Sequence, residues 1–337
     1  MTPVKAIALL SGGLDSILAA KIISDLGIEV IGVHFLTPFS PFTLETVDQS
    51  AAAKVAGEIG IKFVPVSLGE EYLELLKHPK FGFGSAANPC IDCHAFFIKK
   101  AGQMLKDFGA SFIVTGEVMG QRPMSQRAQA MSQIDKETGL KGHILRPLSA
   151  KLMNPTVPEE KKWVDREKLF SISGRSRKEQ YKLAEKFKLK EFSAPAGGCL
   201  LTMEDFGRKV KDLLKFKPDF NLEDVKIMKL SRNFRLSPAA KLVVGKNDLE
   251  NKKIISLALA GDLLILTDEV PGPAGLVRGK FGQPEVEKAC AIIAYYVHKC
   301  PTPNVPLILE RIGDNGNKEK ISSLAMERQA LEELRIK

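Results

Sequence analysis

VKAIALLSGGLDS, residues 4–16, decides the fold. Apart from Lys5 its first part is apolar, and the run is short and sharply bounded, which reads as a buried strand. Gly12 and Gly13 then turn the chain. LDSILAAKIISDL (14–26) follows with apolar residues at helical spacing, and Gly27 ends it. EVIGVHF (29–35) reads as a second strand, ETVDQSAAAKVAGEIG (45–60) as a second helix and KFVPVSL (62–68) as a third strand. Strands alternating with helices imply parallel pairing, hence an α/β fold with a doubly wound parallel sheet.

Beyond this opening, FGFGSAANP (81–89) is a glycine-rich loop, a helix is expected over about 91–108, and SFIVTGE (111–117) is the next strand. The polar stretch 120–142 reads as a mobile active-site loop, and HILRPLS (143–149) as a further strand. The basic run 161–190 contains a helix starting near Ser176. These elements make residues 1–203 one catalytic domain, with 204–225 a connecting helix and linker. From KIMKLSRNFRLS onward, residues 226–337 read as a second, smaller α+β domain. Its tail, EKISSLAMERQALEELRIK, has helical spacing and is expected to pack on that domain or on a partner.

The chain has 337 residues, 44% hydrophobic and 26% charged, enough for two cores. Its formal charge of +9 favours a polyanionic partner such as nucleic acid, although a generally basic protein has the same composition. No apolar stretch approaches the roughly 20 residues that span a bilayer. The apolar start runs directly into the glycine turn without a small-residue cleavage site. A cytoplasmic protein without a membrane partner is therefore expected. Five cysteines in such a chain suggest metal, cluster or catalytic roles for those that cluster, not a disulfide framework.

Two places carry chemistry. Ser11-Gly12-Gly13-Leu14-Asp15-Ser16 lies between a strand and a helix, where amides at the helix N-terminus point at an anion and the macrodipole adds to the attraction. The lysine of a Walker loop is missing, and Asp15 suits a phosphate site only by holding magnesium or orienting the loop. The second place is Asn88-Pro89-Cys90-Ile91-Asp92-Cys93-His94, which sets two thiols on one face of a helix start, where thiolates are favoured. Cys199, after Pro195 and the pair Gly197-Gly198, is the third candidate, its sulfur left accessible by the bent chain. Cys290 and Cys300, beside AIIAYYV (291–297), read as buried structural residues.

On these residues the chain resembles the tRNA thiouridylases of the N-type ATP pyrophosphatase (PP-loop) superfamily. The resemblance rests on SGGLDS (11–16), NPCIDC (88–93), TGE (115–117) and GGC (197–199), and covers about residues 1–203. It implies ATP and magnesium at Ser11, Gly12, Gly13, Asp15 and Ser16, the adenine beside His34 and Phe35, and Gly116 and Glu117 near the nucleotide. Glu117 has a loop-stabilising role as its alternative. The 2-thiouridylases carry NPDxxC, and here Cys90 replaces that aspartate. Three cysteines resemble the iron–sulfur branch, in which Cys90, Cys93 and Cys199 would hold a [4Fe–4S] cluster with one iron open for hydrosulfide. Persulfide chemistry on Cys199 with Cys93 resolving, or zinc on the three cysteines with His94, are the alternatives. TGExxGQ (115–121) resembles the 4-thiouridine synthases and favours the 4-position over the 2-position.

Residues 174–189 resemble the segment before the last catalytic cysteine of this family. Lys161, Lys162, Arg175, Arg177 and Lys178 are its candidate tRNA phosphate contacts, with a solvated basic face as the alternative. Residues 230–310 resemble the RNA-associated NFACT-R module, with Arg232, Arg235, Lys241, Lys246 and Arg278 as candidate contacts; no THUMP domain is recognisable. The resemblance implies adenylation of a uridine carbonyl followed by sulfur insertion. Sulfide or a cysteine-desulfurase-type donor would supply the sulfur, and relatives often form homodimers. Two rival readings are an amidating synthetase, which would leave the cysteines idle, and a non-catalytic RNA-binding factor.

Overall fold

Strand β1 (Lys5–Leu9) sends Ala6 and Ala8 to one core and Ile7 to the other, as a pleated strand must. The computed structural model describes residues 4–193, 199–314 and 317–336. The chain divides into two units, Met1–Leu200 and Leu201–Lys337. In the first unit β1 is followed by α1 (Leu14–Asp25), β2 (Glu29–Leu36), α2 (Ala51–Glu58), β3 (Lys62–Ser67), α3 (Glu70–Lys77) and α4 (Cys90–Phe108). Then come β4 (Phe112–Val114), α5 (Ala128–Thr138), β5 (Ile144–Leu145), α6 (Val157–Glu160) and α7 (Lys178–Lys186). All five strands are parallel, in the order β3-β2-β1-β4-β5. The two faces are buried separately. Residues of α1, α2 and α7 share a core with Ala6 and Ala8, while Ile98 of α4 and Ile134 of α5 share one with Ile7. The expected doubly wound sheet is present. Its strand order reverses at β1, so the crevice above β1 and β4 is where such a fold receives ligands.

Several boundaries differ from expectation. The second helix starts at Ala51, capped by Ser50, whose hydroxyl accepts from Ala53 N at 3.2 Å. The stretch 120–142 is not one irregular loop, because α5 lies within it and buries Ala130, Met131 and Ile134. Those three apolar residues form a helical stripe hidden among Gln and Ser. The strands expected over 111–117 and 143–149 shrink to β4 and β5. Beyond them the backbone turns to deliver Glu117 and Arg146 into a buried ion pair.

The second unit runs α8 (Glu204–Phe216), α9 (Leu222–Met228), β6 (Arg232–Ser237), β7 (Ala240–Val244), α10 (Asp248–Ser256), β8 (Leu263–Thr267) and β9 (Gly275–Gly279). It ends with α11 (Gln283–Tyr295), β10 (Val305–Arg311), β11 (Lys318–Ser323) and α12 (Arg328–Leu334). Its six strands form an antiparallel sheet in the order β11-β10-β8-β9-β7-β6, the expected α+β second domain. The connecting stretch 204–225 belongs to this unit, and α8 buries Phe206, Val210 and Leu213. The tail is helical only over α12, which buries Leu331 in the core of this unit; its first part is β11. No helix among the described residues is long and apolar enough to cross a membrane.

Candidate active site

The turn from β1 into α1 is held by its own serines. Ser16 Oγ donates to Gly13 O at 2.8 Å, accepts from Ser11 N at 3.2 Å and lies 3.1 Å from Ser11 Oγ. Gly12 has φ +81°, and a side chain there would crowd Ala52 N at 3.1 Å. Ser193 N donates to Gly12 O at 2.9 Å, which ties Ser193 to this turn. Residues 194–198, including Gly197 and Gly198 of the expected GGC bend, lie outside the described residues.

Gly116 packs on the phosphate turn itself. A Cβ on it would lie 2.4 Å from Ser16 N and 2.5 Å from the carbonyl carbon of Asp15. It lets the loop after β4 close on the backbone of the phosphate turn. Asp15 is mostly buried, and burial raises its pKa against the pull of Arg177. Its Oδ2 accepts from Gln121 Nε2 at 2.5 Å and lies 3.6 Å from the Arg177 guanidinium. Gln121 in turn accepts from Gln180 of α7 at 2.8 Å. Asp15 Oδ1 is buried with no hydrogen-bond partner among the described residues, and it is an oxygen of the kind magnesium takes. His34 donates from Nδ1 to Leu10 O at 2.6 Å, and burial holds its pKa below the ordinary value, so the ring is neutral. Phe35 stacks on Phe97 at 5.5 Å between ring centroids.

Glu117 is a structural anchor. Its carboxylate accepts from His94 Nδ1 at 2.7 Å, from Arg146 Nε at 2.7 Å and from Thr115 Oγ1 at 3.1 Å. Arg146 then reaches Asp135 of α5 with two bonds of 2.8 and 3.1 Å. Burial pushes the Glu117 carboxyl up, but Arg146 and His94 outweigh it and hold the group well below the usual carboxylate range. This chain fixes His94, next to Cys93, with its Nε2 3.4 Å from Ser125 Oγ.

Cys90 and Cys93 open α4, and Asp92 between them accepts from Lys80 N at 2.9 Å and Phe81 N at 3.1 Å, tying the preceding loop to the helix start. Asn88 Nδ2 donates to Cys90 Sγ at 3.0 Å, and Tyr72 Oη lies 3.1 Å from Cys93 Sγ. Burial pushes the Cys93 thiol far up; the charges of Cys199 and Cys90 raise it further, while Tyr72 works the other way. Those two thiols therefore sit within electrostatic reach of Cys93. Cys199 itself is exposed. No three His, Cys, Asp or Glu side chains among the described residues are gathered tightly enough to hold a metal ion as they stand. A four-iron cluster is wider than one ion, so thiols around it stand further apart than those around zinc. Elsewhere, Cys290 is buried as expected, while Cys300 is only half-buried.

The basic candidates separate into two groups. Lys161, Lys162, Arg175, Lys178 and Lys246 are exposed. Arg177 is turned inward onto Asp15. Arg235 is committed to Asp212 at 2.6 Å and Arg278 to Asp262 at 2.6 Å, and Lys241 is buried. Arg235 and Arg278 are internal ties of the second unit, and the buried Lys241 amine has no hydrogen-bond partner among the described residues. Sequence reasoning missed Gln180, Arg146, Asp135, Tyr72 and Asn88. Arg146 carried a signal: a charge set between leucines in HILRPLS needs a buried partner.

Residues 1–153 match the family model described as "Thiamine biosynthesis protein (ThiI)", and residues 231–335 the one described as "NFACT protein RNA binding domain". The first part of the chain is thus similar to one family model and the last part to the other. A "Probable tRNA sulfurtransferase" of Thermococcus kodakarensis is 34% identical over 148 residues, covering 43% of this chain and 36% of that protein. The tRNA-specific 2-thiouridylase MnmA of Mycobacterium tuberculosis is 34% identical over 101 residues, covering 27% of this chain and 28% of its own. The chain thus spans about a third of the length of these curated relatives. Among solved structures, the U34-tRNA thiolase NcsA from Methanococcus maripaludis with its [4Fe-4S] cluster is 21% identical, covers 68% of this chain and 72% of its own, and has a TM-score of 0.36. Cys90 and Cys93 lie inside the stretch that matches the ThiI family; Cys199 lies beyond it.

Proposed function

We propose that the chain is an ATP-dependent tRNA sulfurtransferase that makes 4-thiouridine, with both half-reactions at the carboxyl end of β1. Two observations support this reading: Ser193 N donates to Gly12 O of the phosphate turn at 2.9 Å, and Cys90 and Cys93 open α4, with Cys199 among the groups that raise the Cys93 thiol.

The phosphate turn and the N-terminus of α1 bind the polyphosphate of ATP, with Gly12 and Gly13 allowing close backbone approach. Asp15 is the residue that would hold magnesium, since its Oδ1 lacks a partner and its Oδ2 is oriented by Gln121. A bound magnesium ion would supply charge neutralisation on the leaving pyrophosphate. An extruded uridine presents its carbonyl oxygen to the α-phosphorus. A new P–O bond forms, the bond to the β-phosphate oxygen breaks, and pyrophosphate departs. A sulfur nucleophile then attacks the activated ring carbon, and AMP leaves with the former carbonyl oxygen. Cys90, Cys93 and Cys199 would hold a [4Fe–4S] cluster. The fit rests on the donor set, because cysteine sulfurs are the preferred protein ligands of iron–sulfur clusters. Such a cluster, when bound, supplies a soft open site for sulfide. His94, held by Glu117, and Tyr72 pack the helix start that carries two of these thiols. The exposed Lys161, Lys162, Arg175 and Lys178, together with the NFACT-R region, engage the tRNA.

Nucleoside mass spectrometry tests this reading. tRNA incubated anaerobically with iron-reconstituted protein, ATP and sulfide is expected to yield 4-thiouridine, dependent on ATP and lost in Cys199→Ala. A thionucleoside formed equally well from sulfide by protein stripped of iron would show that hydrosulfide attacks without a cluster; one formed by stripped protein only with a cysteine-desulfurase donor, which delivers sulfane sulfur, would favour a Cys199 persulfide. Pyrophosphate release with no thionucleoside would contradict sulfur transfer.

A further inference from the structure

The NFACT-R region contains a small cleft of about 210 Å³, lined among others by Arg232, Lys246, Asn247, Asn251, Tyr296 and His298. We infer that this cleft is a subsite for one phosphate of the RNA backbone, with Arg232 and Lys246 as its cations. The inference rests on the proposed RNA-binding role of this region.

Arg232 differs from Arg235 and Arg278 of the same sheet, each of which closes on a carboxylate, and from Arg311, which lies outside the cleft, over Phe281 and 3.8 Å from Asp314. The Arg232 guanidinium instead lies 4.0 Å from the centroid of the Tyr296 ring and donates one bond, to Gly245 O at 2.9 Å. Glu332, whose field reaches Tyr296, is already paired with Arg335 at 3.1 Å. A guanidinium held over an aromatic ring, with N–H groups to spare, is pre-organised for phosphate. Lys246, on the same cleft, is exposed.

The walls are built rather than incidental. Asn251 Nδ2 donates to Gly272 O at 3.3 Å and its Oδ1 accepts from Ala274 N at 3.0 Å, fastening α10 to the strand that follows the loop. A Cβ on Gly245 would lie 2.1 Å from Asn251 Oδ1, and one on Gly272 2.4 Å from Thr267 Cγ2. Both glycines are needed for this close approach. The cleft is smaller than the roughly 300–1,000 Å³ of sites that enclose a small molecule. It suits one phosphate of a chain that continues outside. Asp248 is the acid on its rim, and it opposes an anion.

Fluorescence anisotropy with the full chain tests this, using labelled tRNA and a labelled oligouridylate. Arg232→Met with Lys246→Met is expected to raise Kd about tenfold and to reduce the salt slope by about one to two. Lys252→Met removes one exposed charge from α10 outside the cleft and is expected to change Kd by less than about twofold. Asp248→Asn is expected to tighten binding. A wild-type chain that binds neither RNA overturns the RNA reading, and the subsite with it. Wild-type binding that the double variant matches, in affinity and salt slope, overturns the subsite alone. Amide shifts at Gly245 and Asn251 with uridine monophosphate but not with RNA would also overturn it, since the occupant would then be a free nucleotide. Hydrogen exchange in β7 confirms that each variant is folded.

Discussion

In the first unit, charged groups stand just beyond the carboxyl ends of parallel strands. Asp15 follows β1, Glu117 follows β4 and Arg146 follows β5, so the loops of one sheet edge converge. In the second unit the strands are antiparallel and their ends point both ways. Its buried charges close on one another, Arg235 on Asp212 and Arg278 on Asp262, and bind elements together. Paired buried charges are construction in both units, and in the first unit Asp15 is the acid that stands in the phosphate turn itself. A cation reports a binding surface only once its partner is known, and Arg232, held over Tyr296, is the arginine of the second sheet that lines the cleft.

Variants can break this contrast or sharpen it. The largest effect is expected from Arg146→Met, which strands Glu117 and Asp135 in a buried site. It should cost about 3–5 kcal/mol of first-unit stability, read by urea melts of Trp163, the chain's one tryptophan. An unchanged midpoint would show that the Glu117 chain anchors nothing.

Lys241 should behave in the opposite sense. Burial outweighs Asp212 and lowers its pKa from 10.5 to about 7. Between those values the unfolded chain holds a proton that the folded chain lacks, so stability rises with pH across that window. The penalty is fully present below about pH 7 and gone above the unfolded value. Lys209, lowered to about 8, adds a slope of the same sign. Lys241→Met should stabilise the second unit at pH 7 by about 2–4 kcal/mol and flatten most of the slope, measured by hydrogen exchange in β7. A destabilised variant would contradict the buried, partnerless amine.

Gly116→Ala drives a methyl into the backbone of Asp15 and Ser16, and should cost about 1–3 kcal/mol while abolishing ATP-dependent protection from melting. Smallest is Arg235→Met, about 1–2 kcal/mol on the second unit with RNA affinity held within about twofold, measured by hydrogen exchange and anisotropy. A large loss of RNA affinity there would erase the distinction from Arg232.

The phosphate turn was legible because its parts are contiguous. Strand, paired glycines and helix follow one another in a dozen or so residues, and local sterics determine what each does. Cys90 and Cys93 were legible for the same reason, lying one helical turn apart. The supports were not. Gln180 meets Gln121 across 59 positions and Arg146 meets Glu117 across 29, contacts that only the packed sheet creates. Arg177 and Arg235 looked like phosphate contacts because charge is visible in a sequence and pairing is not. The helix α5 was hidden by its polar composition, although Ala130, Met131 and Ile134 keep its buried face.

The central claim concerns the thiols at 90, 93 and 199, and iron and sulfide analysis with Mössbauer spectroscopy of the anaerobically reconstituted full chain tests it most directly. Wild type should carry about four irons per chain in one cubane with a distinguishable iron site, and each of the three Cys→Ala variants should lose it. A Cys199→Ala protein with the same iron content and spectrum as wild type would show that this thiol, and the shared site at the end of β1, has been wrongly assigned.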